Sequence, residues 1–242
     1  MTVLVTGAGG AIGGAIVRLA LERDDAVLAQ DLRADPLSAL APRCAATVVG
    51  DLLDDAHRAT LLAAAREHEV DAVVAAHGLD GSGSLASLTP DQMTRVMRVN
   101  ALSVVRLFEL LLPLLRERRG TFVAVGSQAG LKAEANNVAY CASKFAITEW
   151  VRSLAPALAA DGVQLRTLAP GCTESPLLFS AQERFAAATG VPASEFVDRR
   201  RAAIPVGRFA RVEETAAAAL YLADRDSHRP VVLAATGGEV LA

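Results

Sequence analysis

The chain has 242 residues, 52% of them apolar, which is enough to bury a large core and too hydrophobic for disorder. A formal net charge of −3 offers no broad basic field, so neither nucleic acid nor an anionic membrane surface is an expected partner. The three cysteines, Cys44, Cys141 and Cys172, are odd in number and widely spaced, which suggests neither a disulfide framework nor a metal site and suits a reducing cytoplasm.

In chain order, TVLVT (2–6) reads as a strand that starts at once, so no secretory leader is expected. The glycine-rich turn TGAGGAIGG (6–14) leads into an amphipathic helix with Ile12, Ile16, Leu19 and Ala20 on one face. AVLAQ (26–30) and ATVVG (46–50) are the next strands, separated by a short, turn-rich crossover. A helix over 52–69 precedes the strand DAVVAA (71–76). A long helix follows from about Pro90 to Arg116. Its most apolar stretch, LFELLLPLL (107–115), carries Glu109 and Pro113 and is no membrane span. TFVAVGS (121–127) is a strand, 138–160 a helix, VQLRTLAP (163–170) a strand, and RPVVLAAT (229–236) the last one.

These strands run nearly continuously in Val, Ile, Leu and Ala, as strands do when both faces are covered. The pattern predicts a doubly wound α/β fold: one domain over 1–242 with a parallel sheet, helices on both faces, and ligands at the carboxyl ends of the strands. Residues 171–207 are too long for an ordinary connection and read as a helical lid. Leu177, Leu178, Ala181 and Phe185 recur there at helical spacing, and Gly190 is a helix stop. A second helix around 193–203 carries Phe196. The arginine run DRRR (198–201) reads as a solvated helix face or a lid hinge.

The glycine turn fits neither pattern tested. G-x-G-x-x-G needs glycine at Ile12, and T-G-x-x-x-G-x-G fits Thr6, Gly7 and Gly13 but meets Ala11 at its middle glycine. Context favours a phosphate cradle, because the turn follows a buried strand and opens a helix whose free N–H groups attract a pyrophosphate. Gly9, Gly10, Gly13 and Gly14 are expected to leave slack around Ala11. Asp31 stands 18 residues after Gly13, near the position of an acid that grips an adenosine ribose and repels a 2′-phosphate. NAD is therefore expected over NADP, although Arg33 could swing toward such a phosphate.

YCASK places Tyr140 and Lys144 one helical turn apart, where an ammonium can draw a phenol below its usual pKa of ~10 for acid/base work. The pair is sharpened by rarity, since the chain holds two tyrosines and two lysines against 22 arginines. Ser127 ends a strand, where its hydroxyl could hold a carbonyl oxygen beside Tyr140.

With these motifs in order, nearly the whole chain resembles the short-chain dehydrogenases/reductases, a family with a Rossmann-like fold. The resemblance implies reversible hydride transfer between a secondary alcohol and its ketone. Tyr140 is then the acid/base, Ser127 orients the carbonyl, Lys144 binds the nicotinamide ribose and Asn100, in MRVNALS, completes a proton relay through water. It further implies cofactor contacts from Thr6, Gly7, Gly9, Gly10, Ala11, Ile12, Gly13, Asp31 and Leu32, then Asp51 and Leu52 at the adenine. Ala76, Gly78, Tyr140, Lys144, Pro170 and Gly171 follow, with Thr173 and Ser175 at the carboxamide. The resemblance also implies a homo-oligomer, a dimer or a tetramer, in which the helices over 90–116 and 138–160 pair between subunits, with Trp150 and Leu154 as candidate contacts.

Two departures stand out. AAHG (75–78) replaces the family's NNAG, so other partners must replace two asparagine amides, and His77 either packs or faces the ligand. The tail AATGGEVLA (234–242) lacks the usual aspartate before its paired glycines. The lid residues Leu177, Leu178, Phe179 and Phe185 favour a small, neutral, partly apolar or cyclic substrate. Rival readings are a non-catalytic NAD-binding scaffold or sensor and an epimerase or dehydratase of the same fold.

Overall fold

The computed structural model describes residues 1–81, 88–134, 137–225 and 228–240; the side chains of Phe185, Ala188 and Phe196 also lie outside the described residues. Strands β1 (Thr2–Thr6), β2 (Ala26–Asp31), β3 (Ala46–Val49), β4 (Ala72–Ala75), β5 (Thr121–Val125), β6 (Gln164–Pro170) and β7 (Val232–Ala235) form one sheet. They pair in the order β3-β2-β1-β4-β5-β6-β7, every ladder parallel.

Successive strand residues serve opposite layers, although nearly all are apolar. Leu4, Val73, Phe122 and Leu165 pack with the layer of α2 (Asp55–Glu67), α4 (Ser103–Arg118) and α5 (Val138–Ala160). Val3, Val5, Val27, Val74 and Val123 pack with that of α1 (Ala11–Glu22) and α8 (Val212–Ala223). Burial on both faces is why the strands do not alternate in sequence. The fold is the expected doubly wound, Rossmann-like sheet.

Local chemistry sets most boundaries. The β2–β3 crossover is two short 3₁₀ turns, Asp35–Leu37 and Ala41–Arg43. The last strand is shorter than expected, because the ladder to β6 holds only from Val232 to Ala235. The long helix is not uniform. A capping box between Thr89 and Gln92 starts α3 (Pro90–Met97), and a π turn over Arg98–Leu102 joins it to α4. After β6, α6 (Pro176–Thr189) ends at Gly190 with φ +73, and α7 (Ala193–Ala202) packs against it. Among the described residues no helix is long and apolar enough to cross a membrane.

β6 buries a charge. Arg166 is 1% exposed, and its guanidinium donates to Leu222 O at 2.5 Å and Asp224 O at 2.7 Å. A cation at the negative end of α8 is favourable, and the two carbonyls take a charged donor from it. Replacing Arg166 with Met should therefore lower stability by about 3 kcal/mol in urea unfolding, since a charged donor is lost and buried carbonyls are left unpaired.

Candidate active site

β1 lies between β2 and β4, so the chain reverses direction across the sheet there and opens a crevice at the strand ends. The turn after β1 lies hard against the end of β4. Gly7 has φ +66, and a Cβ on it would lie 2.7 Å from His77 Cα. α1 then starts with Gly10 as its N-cap, with no side chain capping it and no acid in its first turn. The expected slack is absent, however. A Cβ on Gly13 would sit 2.1 Å from Gly7 O, and one on Gly9 2.4 Å from Pro36 Cβ. Ala11 is accommodated for another reason: it is the first residue of α1, where a side chain suits the backbone.

Asp31 is 9% exposed at the end of β2. Its Oδ2 accepts from Gly9 N at 2.9 Å and its Oδ1 from Arg33 N at 3.1 Å, so the carboxylate is fixed with lone pairs to spare. Beside it, Leu32 is 62% exposed and offers an apolar platform. Uncapped helix N–H groups, a fixed carboxylate and an exposed leucine fit a dinucleotide. Asp51 is exposed and accepts from Leu53 N at 2.8 Å. Leu52 is instead a core side chain, and the Thr6 hydroxyl is turned inward to His77.

The chemistry-bearing residues gather at β5, β6 and α5. Ser127 follows β5 and caps a 3₁₀ turn over Gln128–Gly130, its Oγ accepting from Ala129 N at 3.1 Å. Tyr140 and Lys144 sit in the first turns of α5, with the Lys144 ammonium 5.6 Å from the phenol ring centroid. Lys144 is 5% exposed and donates to Val125 O at 2.8 Å.

Electrostatics reverse one expectation. Burial pushes the Tyr140 phenol up to about 12, with Asp80 and Glu134 adding to the rise and a Ser127 hydrogen bond opposing it. Burial likewise pushes Lys144 down to about 8. The ammonium does not dominate the phenol, because desolvation of both groups is the larger effect.

Asn100 lies in the π turn, 1% exposed. Its Oδ1 accepts from Leu79 N at 2.8 Å, while Nδ2 donates to Leu79 O at 2.9 Å and to Ser143 Oγ at 3.2 Å. The amide therefore clamps the segment after β4 to α5, and both its N–H bonds are committed.

His77 answers the question posed by AAHG. Its Nδ1 is 2.6 Å from Thr6 Oγ1 and its Nε2 2.8 Å from Ser103 Oγ, which itself donates to Val99 O at 2.6 Å. Ser103 has given away its proton, so Nε2 carries the hydrogen and Nδ1 accepts from Thr6. This neutral imidazole ties β1 to the π turn. Burial first, and the Lys144 ammonium second, push its pKa down to about 3.

A cavity of about 390 Å³ opens over these groups. Ile12, Ala76, Gly78, Ser127, Tyr140, Lys144, Pro170, Gly171, Thr173 and Ser175 line it, as the sequence suggested. Asn100, Asp31 and Asp51 stand outside it. Thr173 Oγ1 is bonded to Thr215 Oγ1 at 3.0 Å, and Ser175 caps α6 by accepting from Leu178 N. Leu177, Leu178 and Ala181 face the cavity from α6, but Phe179 does not and is 42% exposed. Arg200 is no solvated residue: it lines the cavity and pairs with Glu239 at 3.2 Å and Glu134 at 3.7 Å. Gln128 and Gln182 also line it and were missed. Gln182 had a signal, a polar residue one turn after Leu178 on the apolar stripe.

The family model for short chain dehydrogenases matches residues 1–184. The chain belongs to the short-chain dehydrogenase/reductase family. It is 31% identical over 245 residues to the L-fucose dehydrogenase of Mus musculus, with 99% of this chain and 88% of that protein covered. It is 30% identical over 230 residues to the 2-dehydro-3-deoxy-L-rhamnonate dehydrogenase (NAD(+)) of Sphingomonas sp. strain SKA58, covering 92% and 88%. A solved actinorhodin polyketide ketoreductase variant with NADPH superposes with a TM-score of 0.91 at 26% identity, covering 98% of this chain and 96% of that one. As a short-chain dehydrogenase/reductase this protein is an oxidoreductase that uses a nicotinamide cofactor.

The His77 bridge has a pH signature. Its folded pKa lies below the unfolded value of 6.5, so the unfolded chain binds the extra proton on acidification. The stability His77 contributes is intact above about pH 6.5 and declines as pH falls toward 3. Between pH 7.5 and 5 the wild type should lose about 2 kcal/mol more than His77→Gln does, measured by urea unfolding at each pH.

Proposed function

We propose that this chain is an NAD-dependent dehydrogenase interconverting a secondary alcohol and its ketone on a small, neutral, partly apolar or cyclic substrate. The observation that carries this reading is the convergence of Ser127, Tyr140 and Lys144 on one cavity at the strand ends, beside an uncapped glycine turn. Bound along that turn, a nicotinamide cofactor supplies the hydride acceptor for oxidation and the donor for reduction.

The chain's own residues manage the oxygen and its proton. In reduction the Tyr140 phenol gives its proton to the oxygen as the carbon gains hydride; in oxidation the phenol first loses its proton to solvent, and the resulting phenolate takes the hydroxyl proton as the carbon loses hydride and the C=O bond forms. A phenol with its pKa near 12 holds that proton at neutral pH and is ready to act as the acid. Ser127 Oγ orients the carbonyl oxygen. Lys144 has used one of its three N–H bonds on Val125 O, leaving two for a ribose hydroxyl and the side of Tyr140. Asn100 acts on the relay by positioning, through its clamp on Leu79 and Ser143. The pair α6 and α7 serves as the lid of a one-domain enzyme.

Cofactor choice rests on Asp31. Its fixed carboxylate accepts from ribose hydroxyls and repels a 2′-phosphate, while Arg33 contributes a backbone N–H to that same carboxylate. The rhamnonate-derivative dehydrogenase is named for NAD(+), whereas the ketoreductase was solved with NADPH. The same reading includes a cytoplasmic homo-oligomer, with exposed Leu102 and Leu154 as contacts; Trp150 packs edge-on against Phe108 in the core.

Replacing Tyr140 with Phe should cut turnover at least ~10²-fold while NADH binding, followed by fluorescence titration, is kept. Undiminished turnover would overturn the mechanism. NADH should bind more tightly than NADPH, and Asp31→Ala should narrow that gap; a wild type preferring NADPH would refute the cofactor assignment.

A further inference from the structure

The lid side of the cavity holds polar groups that the hydride-transfer chemistry does not use. Gln182, on α6, is 4% exposed, and neither its Oε1 nor its Nε2 has a hydrogen-bond partner among the described residues. Gln128, next to Ser127, is also 4% exposed; its Oε1 is unpartnered and its Nε2 reaches only Cys172 Sγ at 4.0 Å. Asn137, one turn before Tyr140, has a buried and unpartnered Oδ1, while its Nδ2 donates to Glu134 at 3.3 Å. All three residues line the cavity. A buried amide without a partner costs about 1–3 kcal/mol, so three around one cavity mark a place where something else completes the hydrogen bonds.

The chemistry of that occupant follows from the groups. Three carbonyl oxygens need donors, and one amide nitrogen needs an acceptor. A carboxylate or a phosphate brings acceptors only. A hydroxyl both donates and accepts, and it satisfies an amide in either orientation. Charge agrees, because the Arg200 guanidinium in this wall is already held by Glu239 and Glu134, and Lys132 lies 3.5 Å from Glu239. Of the charged residues that line the cavity, Lys144 and Arg200 stand against Asp80 and Glu134, which leaves no net charge for an anion. Leu177, Leu178 and Ala181 supply an apolar surface beside the amides. The cavity, about 390 Å³, is at the low end of the ~300–1,000 Å³ usual for small-molecule sites, and the nicotinamide would share it, which leaves room for a small substrate only.

We infer that Gln128, Asn137 and Gln182 form a hydroxyl-reading subsite, and that the substrate is a small, neutral, polyhydroxylated ring compound, a pyranose or a cyclic polyol. The ring's C–H faces meet the leucines and its hydroxyls meet the amides. This inference rests on the dehydrogenase reading above and names its substrate class.

The test compares D-galactose and myo-inositol with cyclohexanol and galactonate, using NAD and the absorbance of the reduced cofactor. In the wild type at least one of the two polyols should exceed both cyclohexanol and galactonate in kcat/KM by at least ~10-fold, about the worth of one good hydrogen bond. Gln182→Leu should shrink the polyol-to-cyclohexanol ratio by at least ~10-fold, and Gln182→Met provides a second variant should the first misfold. Cyclohexanol or galactonate turned over as well as the better of the two polyols, or a ratio unmoved in both variants, overturns the subsite while leaving the dehydrogenase reading standing. Where nothing turns over, calorimetry with NADH present decides: polyol binding lost in Gln182→Leu supports the subsite, and no polyol binding, with water alone on the amides, overturns it. Failure of the dehydrogenase reading is recognised separately, by turnover undiminished in Tyr140→Phe.

Discussion

The close contact between Gly7 and the backbone of His77 is the constraint from which the site is built. A side chain at position 7 would push β1 and β4 apart at the point where the sheet reverses its winding. Because the turn passes so near, the His77 ring reaches Thr6 on one side and Ser103 on the other. Ser103 is the first residue of α4, directly after the π turn, and the turn holds Asn100. Asn100 grips Leu79 and Ser143, and Ser143 donates to Tyr140 O at 2.7 Å. An unbroken series of contacts thus runs from the glycine turn to the backbone of the tyrosine.

That series explains how AAHG can stand in for a pair of asparagines. Amide side chains there would tie strand to helix through neutral hydrogen bonds. A neutral imidazole with both nitrogens engaged does the same work from one position, provided that it stays unprotonated. Desolvation and the nearby Lys144 ammonium both oppose protonation. Lys144 and His77 are therefore coupled: the ammonium that lines the cavity also helps to keep the bridging imidazole neutral.

Much of this was legible in the sequence, for identifiable reasons. The strands were readable because burial on both faces leaves runs of aliphatic residues. Ser127, Tyr140 and Lys144 were readable because tyrosine and lysine are rare here and their spacing is helical. The π turn left no mark, since RVNAL continues the helical pattern and the extra residue is taken up only by tertiary contacts. The crowding at Gly9 came from Pro36, in a crossover whose path no local pattern fixes. The phenol's pKa is not legible from the spacing of Tyr140 and Lys144, because burial of the phenol, which only the tertiary fold creates, is the largest effect on it.

Arg200 shows why a charge run resists reading from sequence. Among Asp198, Arg199, Arg200 and Arg201, helical rotation turns one residue inward, and there it bridges Glu134, ahead of α5, to Glu239 in the C-terminal segment. α6 is fastened in a parallel way, with Arg184 donating to Asp80 after β4. α6 and α7 are thus each pinned to the rim of the cavity by ion pairs. A partly desolvated ion pair recovers little more in attraction than it loses in hydration, so it fixes geometry at small net stability. Helices held in this way keep a defined position over the cavity at a low cost of displacement, the combination that the proposed lid needs if substrate is to enter and product to leave.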